Sequence, residues 1–180
     1  MRTYSIVFLD SRHQVMPRTR EQLKALHRRG VPIVLCSARP PEGVDLVAEQ
    51  VGLSGPRACY NGGLIFDENR TILRDVGIDI SLAMEFRRFV AQRFPELVVS
   101  GYLYNIWLAE DPRHPMIRQE AKISGCAPLM GTLEQVEGAV PHVHKLLCMG
   151  DPALIRSLQK EIGQRFPQLT ALRSKSTYLE

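Results

Sequence analysis

Three short apolar runs, each followed directly by polar residues or glycines, constrain the fold more than any other feature of this sequence. The runs lie at residues 6–9, 31–36 and 57–60. They are followed by Asp10, by Ser37-Ala38-Arg39-Pro40 and by Asn61-Gly62-Gly63. Continuous apolar runs of this length are typical of strands that are buried on both faces of a parallel sheet. Helical patterns at residues 17–29 and 41–50 separate the runs, so we predict a parallel α/β sheet whose polar residues gather at one edge.

After Gly63 the pattern changes to that of an α+β unit. A turn at residues 67–70 between two short apolar segments predicts a β-hairpin that leaves the first domain. We place the domain boundary near Val76, which gives a first domain at 1–75 and a second at 76–180. In the second domain we predict helices that begin at Ser81 and at residues 116 and 152, and strands at 97–104, 106–109, 143–149, 169–173 and 177–179.

Composition limits the classes of function. The 180 residues are 44% hydrophobic and 23% charged, and the net charge of +4 lacks the long basic tract of a nucleic-acid arm. We therefore expect an anionic small molecule as the partner and no nucleic acid. No apolar run approaches the length of a membrane span or a signal peptide, so we expect a cytoplasmic protein without a membrane partner. The four cysteines lack metal-ligand spacing and are interpreted as structural thiols.

The polar residues at the three strand ends suit phosphoryl transfer. Such a reaction uses a fixed carboxylate as nucleophile, hydroxyl and N–H groups that hold phosphoryl oxygens, and a divalent cation that offsets charge. Asp10, Ser37 and the glycine-rich turn supply the first two. Three alternatives stay open: Asp10 as a capping residue, Ser37 as a plain turn hydroxyl, and Arg39 as half of a structural ion pair.

These motifs resemble the haloacid dehalogenase-like hydrolases, and in particular the Cof-type phosphatases with a type IIB cap. The matching segments are Phe8-Leu9-Asp10, Ser37-Ala38-Arg39-Pro40, Tyr60-Asn61-Gly62-Gly63, His144-Lys145-Leu146-Leu147 and residues 173–180. The resemblance covers nearly the whole chain. It implies a three-layer, Rossmann-like parallel-sheet core, incomplete in this chain, followed by an α+β cap domain.

The resemblance also implies roles for individual residues. Asp10 would be the nucleophile that forms an aspartyl-phosphate and a ligand of Mg²⁺, and Ser37 would hold a phosphate oxygen. Arg39, Asn61 and Gly62 would lie beside the substrate. Lys145 would reach an anionic substrate from the cap, with a solvated strand-end lysine as the alternative. The implied substrates are small phosphorylated metabolites such as sugar phosphates.

Two parts of the family pattern have no counterpart in the sequence. The family has a second Asp two residues after the nucleophile, whereas this chain has Arg12, which cannot exchange a proton near neutral pH. Asp10 could instead correspond to a later Asp of that loop. The sequence also stops at Glu180, before the family's lysine and its Gly-Asp-x-x-Asn-Asp-like metal loop. We therefore expect a truncated member with weak Mg²⁺ binding and doubtful activity.

Several hypotheses follow. The first is a Mg²⁺-dependent phosphatase, the second a non-catalytic remnant that binds phosphate or sugar phosphate, and the third a receiver-like phosphoacceptor. His142 and His144 share a face of a predicted strand and permit a metal pair, although no third ligand has a suitable spacing. A sheet without its later strands leaves an unpaired edge, so we also expect a homodimer that covers this edge.

Overall fold

The computed structural model describes residues 14–180, and the chain divides into two compact units, Met1–Arg74 and Asp75–Glu180. The nucleophile predicted from the sequence, Asp10, lies outside the described residues. The helices are α1 (Pro17–Arg28), α2 (Pro41–Val51), α3 (Ile80–Arg93), α4 (Pro115–Ser124) and α5 (Pro152–Arg165). The strands are β1 (Leu35–Cys36), β2 (Arg57–Cys59), β3 (Leu64–Phe66), β4 (Ile72–Asp75), β5 (Ile78–Asp79), β6 (Val98–Leu103), β7 (Ile106–Ala109), β8 (Leu129–Met130), β9 (His142–Val143), β10 (Lys145–Met149) and β11 (Tyr178–Leu179).

The first unit contains a four-stranded sheet in the order β1-β2-β3-β4. Strands β1 and β2 pair in parallel, with Leu35 opposite Arg57, as the sequence pattern predicts. Strand β3 then runs antiparallel to β2. The two strands that carry the predicted polar turns therefore lie side by side and end at the same edge.

Helix α2 follows β1 and packs one apolar stripe into the first unit. Pro41 suits its first turn, because a first-turn N–H has no partner in the helix, and Gly52 ends it in the left-handed conformation with φ 70°. Val44, Val47, Ala48 and Val51 are all buried and recur at the spacing of one helical face. Helix α2 begins directly after the turn that follows β1.

The second unit is an α+β fold around a five-stranded sheet in the order β11-β10-β6-β7-β8. The pairs β10–β6 and β6–β7 are antiparallel, whereas β7 and β8 are parallel. The core includes Phe86 and Phe89 of α3 together with Phe166, whose ring centroid lies 5.4 Å from that of Phe86 and 5.3 Å from that of Phe89. Tyr102 and Trp107 face each other across β6 and β7 and stack at 5.2 Å.

Three predictions about the second unit are wrong in detail. Helix α3 is capped by Asp79 and not by Ser81, since the Asp79 carboxylate accepts the N–H of Ser81 at 2.9 Å. The strand predicted at 143–149 is interrupted at His144, because the chain changes its pairing from β5 to β6 there. Residues 169–173 form no strand, although the backbone groups of Leu172 and Glu180 exchange two hydrogen bonds of 2.8 Å.

Among residues 14–180, every helix is too short or too polar to cross a lipid bilayer.

Candidate functional site

Backbone hydrogen bonds join the turns that follow β1 and β2. The Asn61 N–H donates to the Ser37 carbonyl at 2.9 Å, and the Tyr60 N–H donates to the Arg39 carbonyl at 3.2 Å. The Ser37 N–H extends the parallel ladder by donating to the Ala58 carbonyl at 2.9 Å. The structure therefore brings together the predicted residues Ser37, Arg39 and Asn61, and Gly62 with them.

The second turn has an unusual backbone. Tyr60, Asn61 and Gly62 have φ values of 51°, 56° and 94°, so three successive residues adopt left-handed conformations. For a residue with a side chain such a conformation costs about 1–3 kcal/mol, and residues of this kind cluster at binding and catalytic sites. The Asn-Gly-Gly sequence signals this turn, because asparagine and glycine tolerate positive φ better than other residues.

The first turn offers hydrogen-bond donors. The Ser37 Oγ accepts the Arg39 N–H at 3.2 Å and retains its own O–H as a donor. Helix α2 begins directly after the turn, with Pro40 as its N-cap. The N–H groups of a first helical turn attract anions. The Ser37 hydroxyl, the Asn61 side-chain amide and the beginning of α2 thus lie at one edge of the sheet, an arrangement that suits a phosphate group.

Lys145, the site residue predicted in the second unit, is held by neighbours in that unit. Its Nζ lies 3.2 Å from Glu180 Oε2 and 4.5 Å from the centre of the Tyr102 ring, and its side chain is only 13% exposed. The alternative of a solvated lysine is therefore wrong.

Arg57 is a buried cation that sequence reasoning missed. Its guanidinium donates to the Leu53 carbonyl at 3.1 Å and to Asp45 Oδ1 at 3.3 Å, and it also contacts the Gly55 carbonyl. The exposed Arg70 binds the other oxygen of Asp45 at 2.6 Å. These residues line a cavity of about 260 Å³ in the first unit. Because each guanidinium already has a protein partner, we assign the group a structural role.

A second polar cluster surrounds Asp75 in the second unit. Its Oδ1 lies 2.7 Å from His142 Nε2 and 3.0 Å from His144 Nε2, and its Oδ2 accepts the Tyr104 phenol at 2.6 Å. Burial would raise the pKa of Asp75, but the hydrogen bonds from Tyr104, His142 and His144 outweigh it and lower that pKa. The same bond to Asp75 raises the pKa of Tyr104.

Asp75 is the third possible metal ligand beside His142 and His144. The sequence pattern does not reveal it, because 67 residues separate Asp75 from His142. Ligand atoms of the three residues lie within 4.8 Å of one another, which is close enough for a metal ion. Two of these atoms are nitrogens, so the set does not suit Mg²⁺, which takes oxygen ligands.

Three of the four cysteines are buried, which agrees with the prediction of structural thiols. Cys59, Cys126 and Cys148 are buried, and Cys36 is exposed. Burial raises the pKa of Cys59 and that of Cys148 to about 12, so neither forms a thiolate near neutral pH.

Comparison with known proteins assigns the family. A model of the haloacid dehalogenase-like hydrolases matches residues 7–180. The chain therefore belongs to the haloacid dehalogenase-like hydrolase family. A curated protein of Haemophilus influenzae, whose name describes it provisionally as a phosphatase, is 27% identical over 172 residues. The match covers 96% of this chain and 64% of that protein, so the chain spans less than two thirds of its relative.

Solved structures that resemble this chain confirm the α/β fold class. A haloacid dehalogenase-like hydrolase from Bacteroides thetaiotaomicron has a TM-score of 0.82 at 21% identity, covering 96% of this chain and 65% of that one. A Thermotoga maritima protein has a TM-score of 0.78 at 18% identity, with 96% and 64% covered. A phosphatase of the superfamily from B. thetaiotaomicron has a TM-score of 0.67 at 19% identity, with 96% and 61% covered.

Proposed function

We propose that this chain belongs to a Cof-type phosphatase that hydrolyses small phosphorylated metabolites such as sugar phosphates, with the second unit as its cap. The observation that carries the proposal is the pair of joined turns after β1 and β2. They hold Ser37, Asn61 and Gly62 together at the ends of the parallel strands β1 and β2, in a chain of the hydrolase family. Ligands of α/β proteins bind at the carboxyl ends of the strands.

In the proposed reaction the Asp10 carboxylate attacks the phosphorus atom and the ester P–O bond breaks. The leaving oxygen takes a proton from water, because the guanidinium of Arg12 cannot supply one near neutral pH. Water then attacks the aspartyl-phosphate, which releases inorganic phosphate and restores the carboxylate. The Ser37 hydroxyl and the Asn61 side-chain amide would hold the non-bridging oxygens through both steps.

Mg²⁺ is the cofactor we propose, with Asp10 as its carboxylate ligand. Its chemical contribution when bound would be to offset the negative charge of the phosphate group. Ser37 and Asn61 offer side-chain oxygens, and oxygen atoms are the ligands that Mg²⁺ prefers. The oxygen atoms at the joined turns therefore suit Mg²⁺ better than the Asp75 cluster, in which two of the three ligand atoms are nitrogens.

Hydrolysis of p-nitrophenyl phosphate with and without Mg²⁺ tests the proposal. We expect Mg²⁺-dependent turnover that falls by about 10³-fold or more in Asp10→Asn. Loss of one donor in Ser37→Ala should lower kcat/KM by about 10²-fold. Ser54→Ala, which changes an exposed serine outside the joined turns, is the matched control. Turnover at background level in the wild-type chain, or equal turnover in Asp10→Asn, would contradict the proposal.

A second candidate function is phosphate binding without turnover, and it is favoured by Arg12 in place of the general acid. In that case glucose 6-phosphate should raise the melting temperature without being hydrolysed. The shift should shrink in Ser37→Ala and persist in Ser54→Ala. Release of inorganic phosphate from the same ligand would exclude this alternative.

A further inference from the structure

The hydrogen bonds around His144 assign its tautomer. Its Nδ1 accepts the backbone N–H of Tyr104 at 3.1 Å, so this nitrogen carries a lone pair. A neutral imidazole has one proton, which must then lie on Nε2, and Nε2 faces Asp75 Oδ1 at 3.0 Å. The side chain of His144 is fully buried. Each ring nitrogen therefore has a defined function, Nδ1 as acceptor and Nε2 as donor.

This tautomer argues against a metal ion at the cluster. A metal bound to Nε2 of His144 would move the ring proton to Nδ1, where it would oppose the Tyr104 N–H. A second proton on the ring would do the same, because both nitrogens of an imidazolium are donors. Since the ring has no exposed surface, water is poorly placed to relieve the conflict.

Tyr104 is the residue that this bond restrains. It occupies the turn between β6 and β7 with φ 48°, a left-handed conformation that is costly for a residue with a large side chain. Its N–H binds His144 and its phenol binds Asp75, and its ring contacts the His144 ring edge-on at 5.0 Å between centroids. The polar cluster thus offsets the strain of the turn.

We propose that Asp75, Tyr104, His142 and His144 form a proton-operated clamp, which holds the β6–β7 turn while His144 is neutral and releases it when His144 takes a second proton. Three groups face His144: the Asp75 carboxylate from β4, Tyr104 from the turn and His142 from β9. The neighbouring Lys145 is bound elsewhere, to Glu180.

The pH range of the release follows from the surroundings of His144. Burial lowers the pKa of His144 below its ordinary value of 6.5, and the hydrogen bond and negative charge of Asp75 oppose this only in part. The released state therefore takes up the proton more readily than the clamped state. The clamp is complete above the ordinary value of 6.5 and is lost as the pH falls toward the lowered pKa.

NMR of the full chain labelled with ¹⁵N tests the clamp in two ways. Long-range ¹H–¹⁵N correlation should show His144 with its proton on Nε2 at pH 7.5, and one equivalent of Zn²⁺ should leave these signals unchanged. The hydrogen-exchange protection factor of the Tyr104 amide should fall by about 10-fold or more between pH 7.5 and pH 4.5, while Trp107 fluorescence stays native.

Two variants identify the residue responsible. His27→Gln changes an exposed histidine outside the cluster and should retain the pH response, whereas His144→Gln should remove it. A proton on Nδ1 of His144, loss of its Nε2–H signal on adding Zn²⁺, or Tyr104 protection that does not change with pH would each overturn the clamp. If His144→Gln fails to fold, the tautomer and the wild-type pH response still decide the question.

Discussion

Replacing Gly77 by alanine should destabilise the second unit, because this position has no room for a side chain. A Cβ atom there would lie 2.4 Å from the Val143 carbonyl oxygen and 2.5 Å from Cδ2 of His142. The chain would have to move by about 0.6 Å to reach the 3.0 Å below which such contacts are essentially never found. Most of that movement falls on the backbone pairing of β5 with β9.

The size of the effect follows from two opposing contributions. Forcing a backbone shift in a packed region costs about 1–3 kcal/mol. The alanine also lowers the conformational entropy of the unfolded chain, which stabilises the folded state by about 0.4–1 kcal/mol. The net loss therefore has a central value of about 1.3 kcal/mol and an upper limit of about 2.6 kcal/mol. With a urea m-value of about 2 kcal/mol per molar, the unfolding midpoint should fall by about 0.6 M. Trp107, the single tryptophan, is buried in this unit and reports its unfolding by fluorescence.

Gly163→Ala is the matched control, since it is the same substitution in the same unit. Gly163 is exposed within α5, and a Cβ atom there would meet nothing within 4 Å. Alanine in a helix is more favourable than glycine by about 1 kcal/mol, so this variant should unfold at higher urea. The reasoning is refuted if Gly77→Ala matches the wild type, or if both variants shift the midpoint in the same direction.

Three further predictions concern charge and exposed surface. Burial raises the pKa of Glu120 despite the Lys175 ammonium 3.9 Å away, so the contribution of Glu120 to stability falls as the pH rises above the ordinary value of 4.5. Glu120→Gln should therefore gain stability relative to the wild type between pH 4.5 and 7 in urea titrations, and a constant difference would contradict this. Arg57→Lys should lower the free energy of unfolding by about 2 kcal/mol, measured by circular dichroism in urea. Arg70→Lys changes an exposed side chain and should lower it by less than about 0.5 kcal/mol. Equal losses in the two variants would contradict a structural role for the buried Arg57. Leu73 is 63% exposed on the edge strand β4, and a dimer would cover it. Light scattering after size exclusion should therefore show a dimer that Leu73→Glu dissociates. A monomeric wild-type chain would contradict this prediction.

The sequence predicts the joined turns of the first unit because their signals are local. An apolar run ending in Ser37, and another ending in Asn61-Gly62, are each visible within a few residues. Right-handed connections between parallel strands then place their ends at one edge. The two hydrogen bonds that join the turns follow from the parallel pairing of β1 with β2.

The sequence does not predict the Asp75 cluster, because its parts meet only through tertiary structure. Asp75 lies 67 residues from His142 and 29 from Tyr104, and it ends a strand with no unusual composition. The interruption at His144 is equally hidden, since the pattern of residues 143–149 predicts one strand and only the change of pairing partner divides it. The buried Arg57 is missed because arginine usually lies at the surface.

The hydrogen bonds between the turns at Ser37 and Asn61 use only backbone atoms. Their geometry therefore does not depend on which side chains the turns carry, provided that the left-handed residues tolerate positive φ. Side chains at this edge can therefore change during evolution while the hydrogen-bonded backbone of the two turns keeps its conformation. Substitutions at the two turns can thus change which ligand the first unit prefers with only a small loss of folding stability.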